Sequence, residues 1–321
     1  MAMRIINIGI MLLLLIGTDA CAQSNEEILK DLKDLESSNN FRVGAGFGNK
    51  IISTHNNSLN SQQNNTAFIF TPSIAYFHNS GLSLSASAYG LQNNGTFNFS
   101  QFAINPAYDY TKGKDVNLSL SYTHYFVSNE YNTIVTPIKN DFYGGITAKN
   151  TWLKPGVEIG YASGEYKNIT NVDTTLRVGG TPIHYKFFDT SMIKTSSFSL
   201  TATLEHSFRF SGLISDDDVL SFVPQFLVNF GSGKEQITRS TSGNYALILN
   251  KKRLNKRKLN NKNQGTSKSP FSFESIGLNL NTEYSVGSFS IEPNVYLDYF
   301  IPSTSSKKFT QVYSINFYYS F

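Results

Sequence analysis

Cysteine is nearly absent from this chain: Cys21 is its sole example among 321 residues. A disulfide framework is therefore excluded, and if Cys21 leaves with a processed leader, thiol chemistry goes with it. Charge is scarce as well. Asp, Glu, Lys and Arg make up 16% of the residues, against roughly 25% in an ordinary soluble domain. After Ile16 no run approaches the ~20 consecutive apolar residues of a transmembrane helix. What is abundant is aromatic or small and polar: aromatics reach 14%, Ser and Asn recur throughout, and mean hydropathy is −0.23. That mixture suits a β-barrel that is apolar outside and polar inside. A secreted β-sandwich or soluble β-solenoid is the alternative, disfavoured by the same apolar face in nearly every segment.

Residues 1–22 read as a secretory signal peptide. Arg4 supplies a positive start, Ile8 to Ile16 a short apolar core, and Ala20-Cys21-Ala22 small residues before Gln23. The apolar core is too short to span a membrane. A second reading makes Cys21 the lipidated first residue of a lipoprotein, although Thr18 and Asp19 fit that signal poorly. Residues 23–40 follow as a periplasmic amphipathic helix or linker. Ser24 and Glu27 form a capping-box pattern, and Ile28, Leu29, Leu32 and Leu35 recur at helical spacing. Such a helix would plug the lower mouth of a barrel, dock a partner or stay a frayed tail.

From Phe41 to Phe321 the chain falls into segments of about ten alternating residues divided by turn chemistry. Twelve are predicted: Phe41–Ser53, Ala67–Phe77, Leu82–Gly90, Phe97–Tyr110, Val116–Val127, Asp141–Lys149, Trp152–Gly164, Ser196–Phe210, Val219–Ser232, Phe271–Val286, Phe289–Ile301 and Phe309–Phe321. The connections sort by end. Those at one end are brief, such as His78–Gly81, Asn150-Thr151 and Gly287-Ser288. Those at the other include every long one: His55–Thr66, Ser128–Asn140, Glu165–Thr195 and Gly233–Pro270. An error of one strand would scramble this sorting. Ten or fourteen strands stay open, because Glu165–Thr195 holds strand-like pieces at Thr174–Val178 and Ile183–Phe188. The expected fold is all-β, a transmembrane antiparallel up-and-down barrel.

The last segment alternates most cleanly: Tyr313, Ile315, Phe317, Tyr319 and Phe321 share one face. A terminal aromatic on an alternating strand, with a secretion signal at the other end, resembles Gram-negative outer-membrane β-barrel proteins, in particular those of the uncharacterised Bacteroidota type. The resemblance implies an outer-membrane location, periplasmic termini and a C-terminal strand read by the barrel-assembly machinery. Deleting Phe321 is then expected to impair membrane assembly before it alters any activity.

Two finer readings follow from spacing. A type II′ turn at Gly287-Ser288 pairs Val286 with Phe289, Tyr284 with Ile291, Leu280 with Val295 and Leu278 with Leu297, all facing lipid. Asn281 then meets Asn294, Asn279 meets Tyr296, and Glu283 meets Glu292 on the lumen side. Five prolines (Pro72, Pro106, Pro155, Pro224 and Pro293) sit on the apolar parity within strands, where a closed barrel has no edge to accommodate them. They are expected to mark bulges or bends in the lower wall.

Lumen-parity charges are Asp109, Lys149, Lys154, Glu158, Glu205, Arg209, Glu283, Glu292 and Asp298. Glu283 and Glu292 repel if directly opposed, so a cation, a shared proton or water must intervene, with Lys154 or Arg209 able to serve. A structural salt-bridge network is preferred to a metal or acid–base site. No Ser-His-carboxylate set can be assembled by spacing. His78-Asn-Ser-Gly81 lies in a turn at the wrong end for a lipid hydrolase or protease of the outer rim. No cofactor is implied. The stretch Gly233–Pro270 carries ten basic residues against Glu235 alone. Its core is Lys251, Lys252, Arg253, Lys256, Arg257 and Lys258. In an exported protein such a loop meets lipopolysaccharide phosphates or surface polysaccharide rather than nucleic acid, or simply keeps the outer mouth solvated. The expected function is a pore or passive transporter for small solutes. The alternative is a non-conducting accessory or adhesin-like subunit with an envelope protein partner.

Overall fold

The structure is a computed structural model that describes residues 39–49, 68–93, 96–127, 137–178, 181–245, 248–249, 252–253, 257–301 and 308–321. The predicted leader and N-terminal helix lie outside these residues, as do parts of several long connections. Among the described residues no helix is long and apolar enough to cross a membrane.

Alternation builds the wall. In chain order the strands are β1 (Asn40–Gly48), β2 (Ile69–Phe77), β3 (Leu82–Asn93), β4 (Thr96–Tyr110), β5 (Val116–Val127), β6 (Asn140–Ala148), β7 (Lys154–Val178), β8 (Thr181–Glu205), β9 (Phe208–Ser211) and β10 (Asp218–Tyr245). A small tip pair, β11 (Ile248–Leu249) and β12 (Lys252–Arg253), precedes β13 (Arg257–Val286), β14 (Phe289–Phe300) and β15 (Phe309–Ser320). Each long strand pairs antiparallel with its neighbours; β15 pairs with β1, and β10 pairs with β13, closing the sheet. β9 continues β8 against β10, so the wall is a closed barrel of twelve strands. Closure removes every edge within the wall, which a sheet in lipid requires because no solvent can satisfy open backbone groups.

The alternation sorts as expected. Along β4, Phe102 and Ile104 are exposed outward while Gln101, Ala103 and Ala107 are buried inward. Exposed apolar side chains of this kind recur on every wall strand from Phe41 to Phe321, a surface suited to lipid rather than water. Aromatic rings gather at both ends of that surface. Trp152, His206, Phe208 and Phe222 form one chain of ring contacts at the turn end, and Phe198, Phe230, Phe271 and Phe273 another at the loop end.

The Gly287-Ser288 hairpin has the predicted register, from Val286↔Phe289 to Leu278↔Leu297. Gly287 adopts φ +54, as a residue without Cβ can. The five prolines, expected to mark bulges or bends, interrupt the ladder as gaps without a bulge. Each keeps its pairing with one neighbour and loses it on the other, always the strand joined through a turn-side connection, with no register shift there. An antiparallel residue aims its N–H and C=O at the same neighbour, so a missing N–H opens the ladder on that side alone. The actual register shifts lie at Tyr89/Gly90, Asn229/Phe230 and Gly231/Gly233.

The two longest predicted loops are strands for most of their length. β7 and β8 stay paired to Val178↔Thr181, and β10 and β13 to Tyr245↔Arg257. Because β8 also pairs with β10 up to Tyr185↔Tyr245, four strands rise together as one sheet beyond the wall. From Gly164 to Val178, at ~3.3 Å per residue, that sheet extends on the order of 50 Å. At the opposite end, the Asp218 carboxylate accepts N–H bonds from Leu213, Ile214 and Ser215 at 2.7, 2.7 and 3.0 Å, and the Tyr284 hydroxyl at 2.9 Å. Burial opposes its charge, but four donors prevail and lower its pKa to about 2.

Candidate functional site

The interior has two levels. The turn-side level is a cavity of about 630 Å³. Small inward side chains (Ser73, Ser83, Ser85, Ser87, Asn105 and Thr123) line one wall, and Asn279, Asn281, Asn294 and Asn316 the other. It shares Arg42, Phe77, Asp109, Ser221 and Glu283 with a vestibule of about 390 Å³ at the turn-side mouth. The lining carries five carboxylates (Asp109, Glu158, Glu205, Glu283 and Glu292) and one guanidinium, Arg42.

Of the predicted lumen charges, the structure brings Glu158 and Glu205 together around Gln225. Its amide nitrogen donates to Glu205 at 3.3 Å and to Glu158 at 3.5 Å. The Tyr143 hydroxyl also bonds Glu158. From Gln225 the network runs through Asn279 to Asn294, which donates onward to Asn281. Lys154 stays at the turn end, donating to Ser207 at 3.1 Å. Arg209 faces Ser221 in the vestibule. Lys149 leaves the lumen altogether: its ammonium caps the carbonyls of Thr111 and Gly113.

Glu283 and Glu292 occupy the ladder gap beside Pro293. The cation paired with Glu292 is neither Lys154 nor Arg209 but Arg42, whose Nη1 lies 3.3 Å away. The guanidinium is held over the rings of Phe77 and Tyr318, at 5.3 and 5.2 Å from their centroids. Arg42 was available from parity alone, since Phe41, Val43 and Ala45 place it inward. Its partner across a closed barrel was not. Tyr318 reaches this position because Gly44 leaves its space open; a Cβ there would stand 2.3 Å from the ring.

The loop-side level is filled. Ile69, Tyr89, Leu91, Ala103, Tyr125, Ile138 and Ala162 form one buried cluster, and Leu227, Tyr296 and Val312 another. Inward residues at this level are buried on all twelve wall strands, including Gly46 on β1, Asp141 on β6, Thr201 on β8 and Ser275 on β13. Tyr296 is 1% exposed and crosses over Gly277, where a Cβ would meet its ring at 2.9 Å. Its hydroxyl donates to Asp298 at 3.1 Å and accepts from Asn229 at 3.1 Å. Asn229 also accepts from Thr201 and donates to Ser275, both at 2.9 Å. Asp298 thus belongs to this packed layer, not to the chamber.

His78, His124 and His206 are engaged separately. His78 Nδ1 lies 2.8 Å from Ser80 Oγ and accepts the Ser80 N–H, a local turn contact on the surface. His124 meets Tyr122 and Asn140 on the outward face, and His206 meets the Trp152 carbonyl. Among the described residues no three His, Cys, Asp or Glu side chains converge as metal ligands.

In the basic stretch, Lys252 and Arg253 fall in β12, and Arg257 and Lys258 open β13. Lys251 and Lys256 lie outside the described residues. Tyr313, Ile315, Phe317 and Tyr319 face outward along β15, which pairs with both β14 and β1, and the Phe321 N–H donates to the Phe41 carbonyl.

No protein-family model matches the chain, and no curated protein matches it. Solved structures similar to it include the NanC porin, at 10% identity and TM-score 0.35 over 88% of this chain and 99% of that one. A TodX mutant monoaromatic hydrocarbon channel matches at 9% and 0.34, over 90% and 91%. An anion-selective porin from Comamonas acidovorans matches at 8% and 0.21, over 88% and 99%. Likeness at this level carries no inference about function; what this chain is rests on its own pairing: a closed twelve-stranded antiparallel barrel.

Proposed function

We propose that the chain is an outer-membrane β-barrel that passes small polar solutes through its interior, held closed at rest by the loop-side layer. The polar chamber opening onto the turn-side mouth carries this reading. Short turns on the periplasmic side and long hairpins outside are the usual asymmetry of such barrels, and this reading takes that orientation, with both termini periplasmic. The purified protein in planar bilayers is expected to give rare, small conductance steps, and Leu227→Gly, which thins the layer, to make them frequent. Absence of steps from both proteins would overturn the pore reading.

The projecting sheet of β7, β8, β10 and β13 favours a second reading, a non-conducting accessory or adhesin-like subunit. It predicts a stable partner after mild-detergent purification; isolation only as a free monomer would count against it. In either reading β15 is the strand the assembly machinery engages.

A further inference from the structure

On each of the four projecting strands the outward face changes character in the same way. Exposed or half-buried rings give way to charge: Tyr161 is followed by Ser163 and Glu165 on β7, Phe198 by Ser196 and Lys194 on β8, Phe230 by Ser232 and Lys234 on β10, and Phe271 by Lys268 on β13. Three to four residues separate ring from charge, on the order of 10 Å once strand tilt is included. If the rings mark the edge of the hydrocarbon, the charges stand among the headgroups.

Two of these charges are answered. Lys194 meets Glu165 at 2.9 Å. Lys234 and Lys268 are not. They are direct cross-strand partners, both exposed, and neither makes an ion pair among the described residues. Two register shifts create this pairing. Below them the partner of Asn229 is Ser275; at that register Lys268 would stand opposite Gln236, whereas above the shifts it stands opposite Lys234. The same irregularity places Phe273 beside Phe230, at 5.4 Å between centroids. Like charges directly opposed are destabilising, and an anion between them reverses the sign.

We propose that Lys234 and Lys268 bind a phosphate of a phosphorylated glycolipid headgroup in the outer leaflet, with the lipid's acyl chains against Phe198, Phe230, Phe271 and Phe273. The site rests on the orientation proposed above, with the long hairpins outside. It is separate from the basic residues Arg257 and Lys258, which open β13 well beyond Lys268 along the hairpin. A headgroup is favoured over a soluble anion because the aromatic shelf adjoins the lysines on the same face.

The test is native mass spectrometry of the detergent-solubilised full chain with bisphosphorylated, monophosphorylated and dephosphorylated lipid A. Wild type is expected to hold the bisphosphorylated form roughly 10-fold better than the dephosphorylated one, about what one to two lysine–phosphate contacts supply. Lys234→Gln/Lys268→Gln is expected to lose that preference, and in lipid-free detergent to unfold no earlier than wild type. Equal preference in wild type and variant would overturn the proposal. So would full competition by millimolar inorganic phosphate, which would make this a free-anion site. Labelling Thr266→Cys with an impermeant maleimide on intact cells tests the orientation alone. Labelling with no phosphate preference would sink the lipid site but not the orientation; absence of labelling would sink both.

Discussion

The two levels of the interior are built from the same wall by the same alternation, yet one holds a cavity and the other is packed. On the turn side, inward positions are mostly Ser, Thr and Asn, with carboxylates that hold one or two partners each, such as Glu292 with Arg42 and Glu158 with Gln225 and Tyr143. On the loop side, inward positions include Tyr89, Tyr125, Leu227 and Tyr296, with Asn229 bonded on every side. The difference lies in which side chains face in. A wall of this circumference is filled where large residues face in and hydrated where small ones do. Energetically the loop-side layer resembles the core of a soluble protein, and the chamber resembles a surface turned inward.

That contrast can be broken from its strong side first. Tyr296→Ala removes a buried ring and leaves Asp298 and Asn229 short of a partner. Loss of about 3–5 kcal/mol is expected, read as a shift in the urea midpoint of folding into vesicles. A shift below ~1 kcal/mol would mean the layer is not packed as described. Asn229→Ala should cost less, about 1–3 kcal/mol, from three unmet hydrogen bonds. In the chamber, Arg42→Gln is expected to cost only ~1 kcal/mol, because the pair it breaks is partly solvated. A loss as large as that of Tyr296→Ala would erase the distinction between the levels.

The smallest effect lies outside both levels, at the turn end. Asp218 has a folded value near 2, below that of an ordinary carboxylate. Its contribution is therefore full above the ordinary carboxylate range and disappears as pH falls from about 4 towards 2. Asp218→Asn should flatten that part of the stability profile while leaving neutral-pH conductance unchanged. An unaltered acid profile would show that the turn's donors do not hold the charge.

Strand number, the sorting of connections and the Gly287 hairpin register were legible from sequence because each depends on which side a residue faces, and alternation states that directly. Parity does not state how far inward a side chain reaches, so the packed layer of Tyr89, Leu227 and Tyr296 could not be separated from the chamber. Residues 258–269 read as a loop because Lys, Asn, Gln and Gly are poor strand formers. They form β13 through backbone pairing with β10. The pairing of Glu292 with Arg42 joins residues at opposite ends of the chain, and local spacing carries no information about it.

The proline breaks bear on how the barrel comes together. All five fall between strands joined by a turn-side connection, whereas no proline interrupts β1–β2, β3–β4, β5–β6, β7–β8 or β14–β15. Sequence-local pairs that could zip early thus carry these proline gaps on the turn side, while the loop-side pairs β3–β4 and β10–β13 carry the register shifts. The assembling chain is a series of loop-side hairpins connected by soft, proline-gapped seams. A soft seam can still adjust its angle while the β15–β1 closure is being made, and becomes rigid only when the ring is complete.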